Sequence, residues 1–253
     1  MVRRRRVPRR GRRALLGAPL DGAGVVNLEG PVGPGGAVRS PGAVTLTQAP
    51  AALDALRPAG IVAAGLANNH AADAGPDGPR RTAEALRGRG VQPFGGAAGS
   101  AVLSFGATTV SLSAFTLPAP PMALPEADLR VVSLHDVDQP ALLAAAVDAA
   151  LDAGAQVVVV QGSHAVGRVE RRRGAVVAWG LGDLAFACDC TDSTDGLVLR
   201  IELGTDPPVA SVIPVAVGRP GAPAALHPAP DRVYDRLEAL GSSLFRAGAS
   251  AAL

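Results

Sequence analysis

From residue 21 onward, short apolar runs alternate with Ala-rich stretches of helical spacing, and that alternation confines the chain to an α/β architecture. Strands are expected at 25–28, 61–66 and 91–94, and again at 131–134 and 157–160. Helices are expected at 48–57, 79–89 and 140–153, the last two closed by Gly90 and Gly154. Residues 101–105 and 108–114 read as a hairpin turning at Gly106-Ala107. Later strands at 168–171, 176–179, 197–202 and 209–214 follow one another without helices, so a mixed sheet system with outer helices results. Residues 33–46 and 118–125 are Gly/Pro-rich and read as loops. The chain divides into an Arg-rich arm expected to be disordered (1–20), a main domain (21–218), and a Pro/Ala-rich linker that leads to a helix at 231–247 (219–253). There is no internal repeat.

At 253 residues the chain can bury a full core. Hydrophobic residues make up 48%, chiefly Ala, Val and Leu, and aromatic ones only 3%. The net charge of +2 hides an asymmetry, because eight of the 24 basic residues, all Arg, fall within the first 13 positions. The remainder is therefore mildly acidic. The basic arm has no interleaved aromatic residues to stack on bases, which argues against nucleic acid. No apolar window is long enough to span a membrane; the valine run at 157–160 reads as a buried strand. Arg12-Arg13 is followed too soon by Gly17, Pro19 and Asp21 for an export signal, so a cytoplasmic location is expected, with export only if the start site lies elsewhere. Cys188 and Cys190 are too close for a comfortable disulfide. With Asp192 and Asp195 they form at most a weak soft-metal signal.

The chemistry concentrates in the histidines. Of four, three end short polar segments just past apolar strands: Asn68-Asn69-His70, Ser133-Leu134-His135 and Gln161-Gly162-Ser163-His164. A fourth element, Asn27-Leu28-Glu29-Gly30-Pro31, places a carboxylate after another strand. Loops that leave the C-terminal ends of adjacent strands share one rim of a sheet. Imidazole, amide oxygen and carboxylate converging there suit a divalent cation of borderline hardness. Glu170 and Asp183 are candidates for fixing the histidine tautomers, or for plain turn roles. Arg171–Arg173 reads as a solvated turn, and His227, in the linker, as a bystander.

These segments, with Asp73, Gly75, Thr82 and Leu86, with Asp152-Ala153-Gly154-Ala155, and with Trp179-Gly180-Leu181-Gly182-Asp183-Leu184-Ala185-Phe186, resemble in order and spacing the CapA family. This is the capsule or poly-γ-glutamate synthesis branch of the calcineurin-like metallophosphoesterases. The resemblance covers roughly residues 25–203. It implies an α/β, metallophosphatase-like β-sandwich flanked by helices (αββα, four layers), here expected to lack its first strand. The family's opening Gly-Asp-x-Met motif has no match, and Asp183 stands where the family has Asn.

By motif match, Glu29, Asn69, His135 and His164 would hold a divalent metal (Mn, Zn, Co or Fe), one ion rather than two. His70 would be the acid or base, and Asn69 a catalytic neighbour. Asn27, Asn68, Asp73, Asp136, Gln161, Glu170 and Asp183 would support them. The implied activity is metal-dependent and hydrolase-like, on a phosphoester, a peptide or an anionic polymer such as poly-γ-glutamate. A peptide epimerase, or an inactive scaffold for capsule assembly, are the other readings. A partner chain could occupy the edge left by the absent strand.

Overall fold

The computed structural model describes residues 22–34, 44–120, 122–135, 139–186, 193–219, 222–247 and 250–253. Three strands open it: β1 (Gly24–Asn27), β2 (Ile61–Gly65) and β3 (Gln92–Phe94), all parallel in the order β1-β2-β3. Helix α1 (Gly78–Arg87) crosses from β2 to β3 and lays Ala83 and Leu86 on Leu53, Leu56 and Ile61. Each buried Leu or Ile side chain in this cluster contributes about 1.5–3 kcal/mol. Thr82 locks the helix start: its hydroxyl donates to Gly78 O and accepts from Val32 N–H.

A six-stranded sheet follows, built from β4 (Ala101–Phe105), β5 (Thr108–Thr116), β6 (Leu129–His135), β7 (Val157–Gln161), β8 (Val169–Arg172) and β9 (Ala175–Ala178). Its order is β4-β5-β6-β7-β9-β8, with β5, β6, β7 and β9 parallel. The period of two along a strand sets its faces. Val132, Leu134, Val158 and Val160 meet helix α2 (Pro140–Asp152) through Val147, Ala150 and Leu151. Val131 and Val159 face the other way, in company with Ser133, His135 and Gln161 by the same alternation. Within the valine run Val157, Val158 and Val160 are buried and Val159 is half-buried, so this parallel strand lies between layers. The solvated turn expected at 171–173 joins β8 to β9, and there Arg172 and Arg173 also pair with Asp148 and Asp152 of α2.

The chain closes with β10 (Asp195–Glu202), β11 (Val209–Ala216), β12 (Ala225–Leu226), α3 (Pro230–Ala239), β13 (Phe245–Ala247) and β14 (Ser250–Ala252). They form an antiparallel sheet in the order β10-β11-β14-β13, with β12 beside β11. Leu197, Ala210, Val212 and Ala251 share a core with Leu112, Val157 and Val176 of the six-stranded sheet, and with Val233, Tyr234 and Leu237 of α3. The result is a mixed α/β sandwich, as the motifs implied.

Two elements differ from expectation. The helix expected at 48–57 is a pair of 3-10 turns, Pro50–Ala55 and Arg57–Ala59. Pro58 lacks an N–H and disfavours helical geometry in the residue before it, so no longer helix can run through. The C-terminal helix stops at Ala239, because Gly241 turns with φ +92° and the chain then re-enters the sheet. His227, expected in an open linker, is buried. Its Nδ1 accepts from Ala229 N–H, and its Nε2 lies 3.2 Å from Asp195 Oδ1.

Candidate metal centre at the strand ends

Five strand ends supply the polar groups. Glu29 lies two residues past β1 and Asn68-Asn69-His70 just past β2. His135 is itself the last residue of β6, and register pairs it with Thr116 and with Gln161, the last residue of β7. His164 lies three residues beyond β7. Asp183 lies in the loop after β9, which Gly182 N–H fastens to Ala165 O.

Asn68 ties the first two ends together. Buried, it donates from Nδ2 to Leu28 O at 3.0 Å and to Asn27 Oδ1 at 3.2 Å. Asn27 in turn donates to Glu29 Oε2 at 3.4 Å, and Gln48 Nε2 donates to Glu29 O at 2.9 Å. Gly30 is required beside it: its φ is +84°, and a Cβ there would meet the backbone of Leu46. Burial pushes the Glu29 carboxyl above its ordinary range, while His164 and His70 act in the opposite direction.

His70 Nδ1 lies 2.7 Å from Asp73 Oδ2, which also accepts from Leu46 N–H at 2.8 Å. With Nδ1 donating, the other ring nitrogen is the one turned to Glu29, 3.9 Å away. His135 is only 2% exposed, and its Nε2 lies 2.9 Å from Asn69 Oδ1. An amide oxygen can only accept, so Nε2 carries the proton and Nδ1 is a bare lone pair. Among the described residues that buried Nδ1 has no partner. Burial, then the neighbouring His164 and His70, holds the His135 imidazole down to about 4.

His164 sits at φ +53°, a left-handed conformation that a non-glycine residue adopts only under constraint. The constraint is visible: Nδ1 lies 2.9 Å from Asp183 Oδ1, and the ring packs against Phe186 at 4.8 Å. The bond to Asp183 raises His164 above its ordinary value against the opposing effect of burial. The second oxygen of Asp183 is buried and unpartnered among the described residues.

The structure therefore brings Glu29, Asn69, His70, His135 and His164 to one rim, with Asn27, Asn68, Asp73 and Asp183 as their hydrogen-bond supports. Gln161 and Glu29 line one cavity together with His164 and Asp183. Glu170 lies apart from this group: it accepts from Trp179 Nε1 and Arg168 instead of holding a histidine. Asp136, Cys188, Cys190 and Asp192 fall outside the described residues. Sequence reasoning passed over Phe186, Gln48 and Leu46 N–H, none of which carries a residue-type signal for such a role.

Among the described residues no three His, Cys, Asp or Glu side chains converge as a ready metal cage. Glu29, His135 and His164, with the Asn69 amide oxygen, are donor types that suit a borderline divalent cation, and His135 Nε2 and Asn69 Oδ1 lie at the 2.9 Å spacing of two ligands on one ion. The unpartnered Oδ2 of Asp183 is the kind of buried lone pair that a nearby cation relieves.

An α/β sandwich with imidazole, amide and carboxylate groups gathered at parallel strand ends is the arrangement that the CapA resemblance implied. Residues 12–116 match the family model described as "Bacterial capsule synthesis protein PGA_cap". The CapA likeness read from the motifs is thereby borne out. The structure is distantly similar to a hypothetical protein from Thermus thermophilus, at 15% identity and TM-score 0.46, covering 63% of this chain and 77% of that one. It is also distantly similar to a novel phosphatase from Mycoplasma pneumoniae, at 11% identity and TM-score 0.40, covering 68% and 72%. Comparison with curated proteins gave no match.

Proposed function

We propose that this CapA-like protein is a metal-dependent enzyme of hydrolase type. In this reading Glu29, Asn69, His135 and His164 hold one divalent cation, with Mn, Zn, Co and Fe as candidates, and His70 moves the proton. Its substrate is a phosphoester or a peptide-like or poly-γ-glutamate-like chain. The observation that carries the reading is the pair His135 and Asn69: a buried imidazole, neutral at pH 7, whose Nε2 lies 2.9 Å from the Asn69 amide oxygen, the spacing of two ligands on one ion.

Such a cation, when bound, polarises a phosphoryl or amide oxygen and lowers the pKa of water. The rest falls to the protein. Asp73 fixes His70 with Nδ1–H outward to the carboxylate, so Nε2 is the atom that accepts or returns a proton. Asp183 holds the His164 ring in place. Asn68, through Asn27, holds the Glu29 carboxylate at the rim.

The test is metal content and Mn²⁺ or Zn²⁺ affinity of the purified protein beside a His135→Ala, His164→Ala double variant. About one ion per chain, lost in the variant, is the expected result. A folded protein that takes up no metal at concentrations well above micromolar leaves only the scaffold reading.

A further inference from the structure

The His164 ring is held in two ways. Asp183 takes its Nδ1, and Phe186 lies against its ring with centroids 4.8 Å apart and planes tilted by 54°. A single hydrogen bond leaves a ring free to turn about the bond, and an aromatic contact on its face, at a spacing where such rings attract, removes that freedom. What fastens Phe186 therefore helps to set where His164 points.

The fastening comes from the end of the antiparallel sheet, which supplies none of the candidate ligands. Residues 181–186 run along two strips of it. On one side Leu197 N–H donates to Leu181 O, and Gly182 bridges to Gly196 of β10. On the other, just past β11, Gly218 N–H donates to Leu184 O and Phe186 N–H donates to Gly218 O. Gly218 permits the close approach: a Cβ there would lie 2.7 Å from Ala224 N and 3.2 Å from Ala185 Cβ. Arg219 completes this strip. Its Nη1 donates to Phe186 O at 3.3 Å and its Nη2 to Ser193 O at 2.6 Å. Phe186 is thus gripped at both its N–H and its C=O, the latter by a side chain. The planar guanidinium fork can hold two carbonyls at once, whereas a Lys ammonium is a point charge on a flexible stem.

We propose that Arg219 is a positioning residue for His164: by gripping Phe186 O it keeps the Phe186 ring on the imidazole and the imidazole aimed at the rim. Its service to a cation rests on the metal-centre reading, but its grip on His164 is measurable in the metal-free chain.

The test follows the His164 ring protons by NMR in the metal-free whole chain, with His164→Gln to assign them. Phe186→Leu marks their positions without the neighbouring ring. Arg219→Ala should move them most of the way to those positions, and guanidinium ion at millimolar concentration should bring them back. Arg219→Lys is the milder change if the alanine variant does not fold. It reaches one carbonyl at most and should move them too. Arg171→Ala removes an equal charge and the same kind of bond, to Pro208 O at the other end of β11, and should leave them in place. With Mn²⁺ or Zn²⁺ present, Arg219→Ala should bind about 10-fold more weakly, and guanidinium should restore the affinity. Ring protons unmoved in the Arg219 variants would overturn the proposal, because Phe186 would then need no grip. Equal movement in Arg171→Ala, or movement that guanidinium does not reverse, would mean general loosening and overturn it as well. So would moved ring protons with unchanged metal affinity. Should the unsubstituted chain bind no metal while the ring protons still move and are rescued, the metal-centre reading falls and the positioning of His164 by Arg219 stands.

Discussion

At the residue scale, His135 and His164 show how one site drives two imidazoles in opposite directions. His135 is held down to about 4 by burial, whereas an unfolded imidazole titrates near ~6.5. Between those values the unfolded chain binds more protons, so His135's contribution to stability is complete above about pH 6.5 and is lost as pH falls toward 4. His164 is raised by Asp183, so its contribution is present at low pH and is lost as pH rises through its folded value. Urea unfolding of metal-free protein should therefore show an acid loss attributable to His135 of about 2 kcal/mol between pH 7 and pH 5. His135→Asn should remove that loss; an unchanged difference between the two pH values would count against a neutral buried histidine. Asp183 has a separate test. Asp183→Asn keeps the shape but removes the charge that orients His164, and should weaken Mn²⁺ or Zn²⁺ binding about 10–100-fold with little change in fold. Equal affinity in calorimetry would mean that Asp183 only braces the loop.

At the element scale, the loop that carries Asp183 is fastened by glycines. A Cβ on Gly196 of β10 would run into Asp183 O, and one on Gly182 would run into Asp195 O, while Gly182 also needs its φ of +64°. Gly196→Ala should cost about 1–3 kcal/mol, as overpacking does. It should also weaken metal binding, because the loop must shift to relieve the clash. Gly88→Ala, in right-handed helical geometry with only ordinary contacts, should stay within about 0.5 kcal/mol. Thermal unfolding of the two variants separates these cases. The same contrast explains what was legible in the sequence. The paired strands 101–105 and 108–116, α1, α2 and the valine strand follow from local periodicity and caps, and those elements are visible before any fold is known. The 3-10 turns around Pro50 and Pro58, and the C-terminal return of β13 and β14 to β11, depend on tertiary pairing that periodicity does not encode. At the site, Glu29, Asn69 and the histidines were legible because polar groups past apolar strands are few. Glu170 has the right type and spacing, but Trp179 and Arg168 engage it, and only the fold decides that.

At the scale of the whole molecule, the candidate centre lies where two sheets meet, beside a core that both share. Glu29 and Asn69 come from ends of the three-stranded sheet, and His135 and His164 from ends of the six-stranded one. The close approach of Gly95, beside β3, to Ala114 of β5 is part of the remaining contact. A cation held by all four would act as a cross-link between sheets, so its binding energy should appear as global stability, not as local order alone. A ligand that binds only the folded state at 100 times its Kd adds about 2.7 kcal/mol. For a chain of this size each kcal/mol moves Tm by about 2–4 °C, so saturating Mn²⁺ or Zn²⁺ should raise Tm by about 5–10 °C. The rise should grow with the logarithm of free metal, vanish with chelator, and be absent in the His135→Ala, His164→Ala double variant. Because the link spans both sheets, hydrogen exchange should slow in the loops after β1 and β2 and in those after β6 and β7 together. A Tm rise with slowing confined to one pair of loops would place the ion on one sheet and dissolve the four-ligand centre.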